Sequence, residues 1–398
     1  MQEYNKLRIK MTKLIFIIAL TVFGNTLQAQ SLIIIEQDFE EAKKTAIKEH
    51  KLLIIDFYTV WCGPCKTLDK TVFQNEKHSK TISEKFIVLK YDAENDSVHN
   101  LSLKHHISSY PTTVIVNAKN GKTIDKKYGF GGGNIEENVA NYFAFLDEAT
   151  RLNNESKFIQ GISTEVKLNY PEFYKNFVYR IKNTSEKEMP IYWKSNQDYF
   201  SEVSFCILAY FGGTKEINDF FLKNKQKYIQ LYGEKDVQYV LNRMVYKSFE
   251  LAIEAKDNKL FEDAKQLCEE NCDPKEIIII VETFELEFWQ AIGNWSKVVE
   301  RIEFKKDELI TTGEMNAYCW TIFEKCEDKL IIKKAVIWMK ELSDETPSYA
   351  ILDTYANLLY KSGDKKNAII EMGKAIEKGK KDGEDTKESE AILLKFKK

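Results

Sequence analysis

Over roughly the first 150 residues, short apolar runs alternate with amphipathic stretches. Beyond that, apolar positions recur at helical spacing in long segments rich in Lys, Glu and Asn. Leu52–Tyr58 is an almost unbroken apolar run, the pattern of a strand buried on both faces. Phe86–Asp92 predicts a second such strand, and residues 31–36 a short one. Residues 113–117 and 123–129, joined through Lys119-Asn120-Gly121, predict a hairpin. Between these runs, residues 39–49 carry their apolar positions on one helical face. Residues 62–73 open a helix, and residues 134–152 predict a closing one. The order predicts an α/β domain over 31–152 and an all-α region over 153–398. In that region Pro171, Pro274 and Pro347 sit where helices start, positions at which proline's missing N–H is harmless.

The last third carries a repeat. Ala356, Gly363, Ala368 and Ala375 fall at tetratricopeptide spacing. Stepping back from Ala368 reaches Ala335, Val298 and Ala264, at intervals of 33, 37 and 34 residues. Gly363 and Gly293 each lie five residues before their marker, where a helical hairpin would turn. The pattern predicts degenerate tetratricopeptide-like repeats over about 245–380, a form suited to binding peptides or proteins.

Composition changes the picture in two places. Arginine occurs only at Arg8, Arg151, Arg180, Arg243 and Arg301, so the usual bidentate reader of phosphate and base edges is scarce and nucleic acid is not an expected partner. At the N-terminus Lys6, Arg8, Lys10 and Lys13 precede an apolar run at 14–23, followed by Leu27-Gln28-Ala29 as a cleavage region. That order predicts a signal peptide over 1–30 and an exported chain, periplasmic or secreted, with no stable membrane insertion after cleavage. Losing residues 1–29 removes four positive charges and Glu3, taking the formal net charge from −3 to −6. Seven cysteines, an odd number, argue against a full disulfide framework in an exported chain.

The chemistry centres on Trp61-Cys62-Gly63-Pro64-Cys65-Lys66. Cys62, at the first turn of a helix, would aim its sulfur at unpaired backbone N–H groups, which favour thiolate over thiol. Cys65, one turn on, is close enough to close an internal disulfide and expel a bound product. Zinc would need a second cysteine pair at ligand spacing, and this domain has none, so neither metal nor cofactor is expected. Asp56 falls inside an apolar strand, where burial would raise its pKa and let it exchange a proton with Cys65. Pro111 is a candidate cis peptide. His105-His106 reads as a solvated helix end, and Cys268 and Cys326 as small buried apolar residues.

The segment 32–150 resembles a thioredoxin, most closely the subgroup found in periplasmic thiol-reductant relays. Besides the cysteine motif, Asp56 matches the family's buried acid, Lys90 the lysine near it, and Tyr110-Pro111-Thr112-Thr113 the cis-proline loop that faces the cysteines. Two positions depart from the pattern: Val60 replaces a polar residue before Trp61, and Tyr110 replaces a smaller aliphatic one. The resemblance implies thiol–disulfide exchange, with Cys62, Cys65, Asp56 and Lys90 catalytic and Trp61, Gly63, Pro64, Tyr110 and Pro111 in contact with substrate. Gly-Pro between the cysteines is similar to reducing members, so the expected reaction is reduction of protein or peptide disulfides, with a membrane thiol-reductant donor. The alternatives are a disulfide oxidase or isomerase, or a helical peptide-binding scaffold with an accessory redox domain.

Overall fold

The computed structural model describes residues 31–96, 98–165, 168–305 and 310–398. The expected signal peptide over 1–30 lies outside the described residues. The chain divides into two compact units, one ending at Arg243 and the other running from Met244 to Lys398. The break expected at residue 152 therefore falls inside the first unit.

A five-stranded sheet forms the centre of the first unit: β1 (Ile34–Glu36), β2 (Leu52–Tyr58), β3 (Phe86–Asp92), β4 (Thr112–Asn117) and β5 (Lys122–Tyr128), in the order β1-β3-β2-β4-β5. The β3 strand runs parallel to β1 and β2, whereas β4 is antiparallel to both β2 and β5. Alternation along β2 divides the core. Leu53, Ile55 and Phe57 pack with helix α1 (Phe39–Lys48) on one face. Ile54 packs on the other face with α2 (Gly63–Leu68), α3 (Glu76–Ser83) and α5 (Ile135–Asn154). Asp56 shares the parity of Ile54 and so lies on the α2 side. A short helix α4 (Leu101–Lys104) precedes the Tyr110-Pro111 loop.

The expected single helix over 62–73 is interrupted. Regular α2 ends at Leu68, and Asp69–Phe73 forms one wider π-type turn, closed by Gln74 N–H donating to Asp69 O at 2.8 Å.

Helices α6 (Glu172–Val178), α7 (Ser185–Ser195), α8 (Glu202–Phe211), α9 (Lys215–Lys223), α10 (Lys225–Tyr232) and the start of α11 (Glu234–Ala255) complete the first unit. They meet the sheet domain through buried polar contacts. Tyr174 Oη donates to Leu103 O at 2.8 Å, and Lys104 Nζ lies 2.8 Å from Glu202 Oε1. Lys126 Nζ lies 2.5 Å from Asp236 Oδ2, His106 Nε2 3.3 Å from the same oxygen, and Tyr128 Oη donates to Asp236 Oδ1 at 2.8 Å. His105 and His106 are thus buried, each 2% exposed, where a solvated helix end was expected. The reason is non-local: His105 packs against Phe57 of β2, and α8 and α11 cover His106 with Cys206 and Asp236. Burial alone would raise the Asp236 carboxyl, but Lys126 and His106 outweigh it and hold the acid well below the carboxylate range.

The second unit is all helical. The four repeat markers Ala264, Val298, Ala335 and Ala368 are all buried, as are Cys268, Met339 and Met372 four residues beyond three of them. Cys326 is buried too. Gly293 and Gly363 take left-handed backbone (φ 74° and 98°) at helix ends, where L side chains are strained.

Asp236→Ala leaves Lys126 buried without its carboxylate. It is expected to destabilise the chain by about 3–5 kcal/mol, read as a lower urea midpoint at unchanged slope. A loss under about 1 kcal/mol, the level of an exposed pair, would mean that this cluster does not tie α11 to the sheet.

Candidate redox site

Strand β2 ends at Tyr58, and four residues later Cys62 becomes the N-cap of α2. Its sulfur accepts the Cys65 N–H at 3.1 Å, and Pro64 occupies the first turn, where no N–H is needed. Cys62 and Cys65 are joined by a disulfide and both are buried. On reduction, the same N–H and the positive end of α2 would favour a Cys62 thiolate.

Asp56 is fully buried. Parallel pairing sets it beside Lys90, whose Nζ donates to Asp56 Oδ2 at 2.5 Å. Lys90 also reaches Asp69 Oδ1 at 2.5 Å, at the start of the wide turn. The other Asp56 oxygen, Oδ1, is buried with no hydrogen-bond partner among the described residues. Burial pushes the Asp56 carboxyl above its ordinary range, and the opposing Lys90 charge does not cancel it. Burial also works against the Lys90 ammonium, but the two carboxylates outweigh it and hold its pKa above the usual value. The arrangement pairs a buried carboxyl with a cation on the sheet face that carries α2.

The rim is built from several elements. Tyr110-Pro111 is a cis peptide, and the Tyr110 ring stands edge-on to Trp61 at 5.9 Å. Trp61 is 55% exposed; its Nε1 donates to Glu94 Oε2 at 3.1 Å. Gly63 and Pro64 are exposed, and Val60 more so at 67%. Arg180, from the corner after α6, lies over the Trp61 ring at 5.0 Å and pairs with Glu94 at 3.2 Å.

The structure therefore brings Cys62 and Cys65 together, sets Asp56 beside Lys90, and brings Trp61 against Tyr110. Sequence reasoning missed three members. Asp69 had a readable signal, standing one helical turn after Cys65. Glu94 and Arg180 had none, because their contacts with Trp61 are non-local.

Residues 34–118 match a family model described as thioredoxin-like. Thioredoxin-1 of Saccharomyces cerevisiae is 31% identical over 96 residues, 24% of this chain and 85% of the yeast protein. Thioredoxin of Echinococcus granulosus is 33% identical over 104 residues, 26% of this chain and 90% of that one. A TPR repeat-containing thioredoxin of Arabidopsis thaliana is 31% identical over 107 residues, 26% of each chain.

The raised Asp56 carboxyl keeps its proton in the folded chain at pH values where the unfolded chain has lost it. Its contribution to stability is full below the ordinary carboxyl pKa of about 4 and is lost as pH rises through the folded value. Asp56→Asn removes that slope, while Lys90 keeps Asp69. Relative to wild type, the variant should gain stability steadily as pH rises above about 4, seen as a widening gap in urea midpoints. A gap that stays constant with pH would show that Asp56 does not titrate in this way.

Proposed function

Because the chain belongs to the thioredoxin family, we propose that it reduces disulfides of exported proteins outside the cytoplasm, through Cys62 and Cys65. The family places it among protein thiol–disulfide oxidoreductases. The observation that carries the reading is Cys62 at the N-terminus of α2, its sulfur on the Cys65 N–H and bonded to Cys65.

In the proposed cycle the Cys62 thiolate attacks one sulfur of the substrate disulfide. That bond breaks, a mixed disulfide forms, and one substrate thiolate leaves. Cys65 then gives its proton to Asp56 and attacks Cys62 Sγ. The second substrate sulfur departs as a thiolate, which takes up a proton from solvent, and the Cys62–Cys65 disulfide remains. Lys90 holds the charge that Asp56 gains and loses. Two electrons from a membrane thiol-reductant donor restore the dithiol. Gly63-Pro64 supports the reducing direction by its similarity to reducing members. The basic and apolar order of residues 6–29 supports export. Among the described residues no helix is long and apolar enough to cross a membrane.

A second role attaches to the helical unit. A cleft of about 550 Å³ opens among the helices Pro274–Ala291, Trp295–Lys305 and Thr312–Lys325. Glu287, Arg301, Lys305 and Tyr318 are among its lining residues. The cleft and the buried repeat markers support a tetratricopeptide-like, peptide-binding scaffold that selects substrates.

Cys62→Ser is expected to lower insulin reduction by at least about 10³-fold, whereas Cys65→Ser should accumulate mixed disulfides on non-reducing gels. Trapping by Cys62→Ser instead would reverse the two roles. Asp56→Asn should slow release of the mixed disulfide by about 10²-fold and leave the first attack nearly unchanged, as stopped-flow fluorescence of Trp61 would report. Partners trapped by Cys65→Ser should change when residues 244–398 are deleted; identical partners at identical yield would refute a selecting role for the helical unit.

A further inference from the structure

Helix α6 ends at Val178, and two residues later the chain turns through Arg180 in the left-handed region, at φ 56°. The corner is closed by Ile181 N–H donating to Asn176 O at 2.8 Å. Helices commonly place glycine at such a corner, because a Cβ is strained there. This chain places arginine there, and its guanidinium covers Trp61 beside the redox pair. His50, Ser156 and Lys256 turn the chain in the same way after other helices, so what sets Arg180 apart is the place of its guanidinium, over Trp61 and beside Glu94.

A groove of about 420 Å³ opens beside that guanidinium. Tyr110, Phe177 and Tyr210 are among its walls, with Arg180, Lys182 and Asn183 contributing polar groups. The lining holds two cations and no acid. Tyr110 also stands edge-on to Trp61, so the groove is continuous with the rim around the cysteines. Glu94 is the acid paired with Arg180, at 3.2 Å, and it is shared with Trp61 Nε1. Glu172 is the acid whose field reaches Lys182. The Arg180–Glu94 pair is partly solvated and is worth little, so an incoming carboxylate can displace it.

Resting on the reductase reading above, the geometry points to this groove as a subsite at the redox rim that reads the residues next to the target cysteine, separate from any partner choice by the helical unit. It takes an acidic side chain next to the target cysteine of an extended polypeptide, with the carboxylate on Arg180 and Lys182 and the neighbouring apolar surface against Phe177 and Tyr110. The extension after the sheet domain thereby sets which disulfides reach Cys62, by charge complementarity at the rim.

The test uses the full-length chain with dithiothreitol as electron source. Its substrates are two disulfide-linked peptide dimers, identical except for Glu or Lys on both sides of the cysteine. Wild type should favour the Glu peptide by at least about fivefold in kcat/KM, through KM, and lose that preference in about 0.5 M salt. Arg180→Gly suits the left-handed corner and should fold with an undiminished urea midpoint, yet lose most of the preference; Lys182→Glu should lower it further. Anisotropy of labelled peptides with serine in place of cysteine should show the same order of affinity. Equal kcat/KM for the two peptides, equal binding, or a preference that survives both substitutions would overturn the proposal. Failure of wild type to reduce uncharged hydroxyethyl disulfide would instead overturn the reductase reading, and the anisotropy arm would still decide the groove.

Discussion

A carboxyl group at the centre of the sheet constrains everything around it. β2 lies between β3 and β4 and is buried on both faces, so an ionised Asp56 is costly there without a partner. The parallel register supplies one by setting Lys90 of β3 beside it. Lys90 in turn reaches Asp69, at the start of the wide turn that follows the redox helix. Strand register, placement of α2 and the charge state of the site are therefore one problem. A slip of β2 by a single residue would carry Asp56 to the α1 face and leave Lys90 and Asp69 facing an apolar side chain.

That coupling explains what could be read from the chain and what could not. β2 and β3 were legible to the residue, because burial on both faces forces a mostly apolar run, broken only by Asp56 in β2 and by Lys90 and Asp92 in β3. Cys62 and Cys65 were legible because a cysteine pair at a strand-to-helix junction has few other uses, and Asp56 because it interrupts an apolar strand, while Lys90 and the placing of the Pro111 loop against the cysteines came from resemblance. The wide turn at Asp69 was not legible. Leu68 and Val72 keep helical spacing across it, and one extra residue in a turn leaves no mark on composition. His105-His106 was misread because its surroundings are distant in sequence. Cys206, Glu202 and Asp236 look like ordinary members of amphipathic helices until those helices dock.

Beside aromatic packing of Phe205 on His106 and Tyr239 on Tyr128, the docking contacts include buried ion pairs where apolar residues would have served. A buried ion pair rarely stabilises a fold more than apolar residues of the same volume would, but it rejects mispaired arrangements strongly, since each wrong partner strands a charge. Lys104 with Glu202, and Lys126 with Asp236, thus specify which helices meet this part of the sheet domain. The same helices hold the segment leading into Tyr110-Pro111. Tyr174 Oη donates to Leu103 O, and Tyr210 Oη donates to Ile107 O. One flank of the redox rim is consequently positioned by residues that lie outside the thioredoxin-like segment.

Chemistry and selection then separate physically. Disulfide exchange draws on β2, β3, α2 and the turn after it, elements whose geometry is tied to the Asp56–Lys90–Asp69 cluster and has little freedom to vary. The proposed selecting surface draws on the corner after α6 and on α8, and it meets the cysteine motif at Trp61, through Arg180 and Tyr110. Changes at Arg180 or Lys182 alter the charge of the rim without disturbing the buried cluster, because neither side chain enters it. A left-handed arginine is strained relative to glycine, and its contacts with Trp61 and Glu94 are solvent-exposed ones that return little stability. His50, Ser156 and Lys256 stand at equivalent corners, so what marks Arg180 is its position: a cation held beside the redox pair.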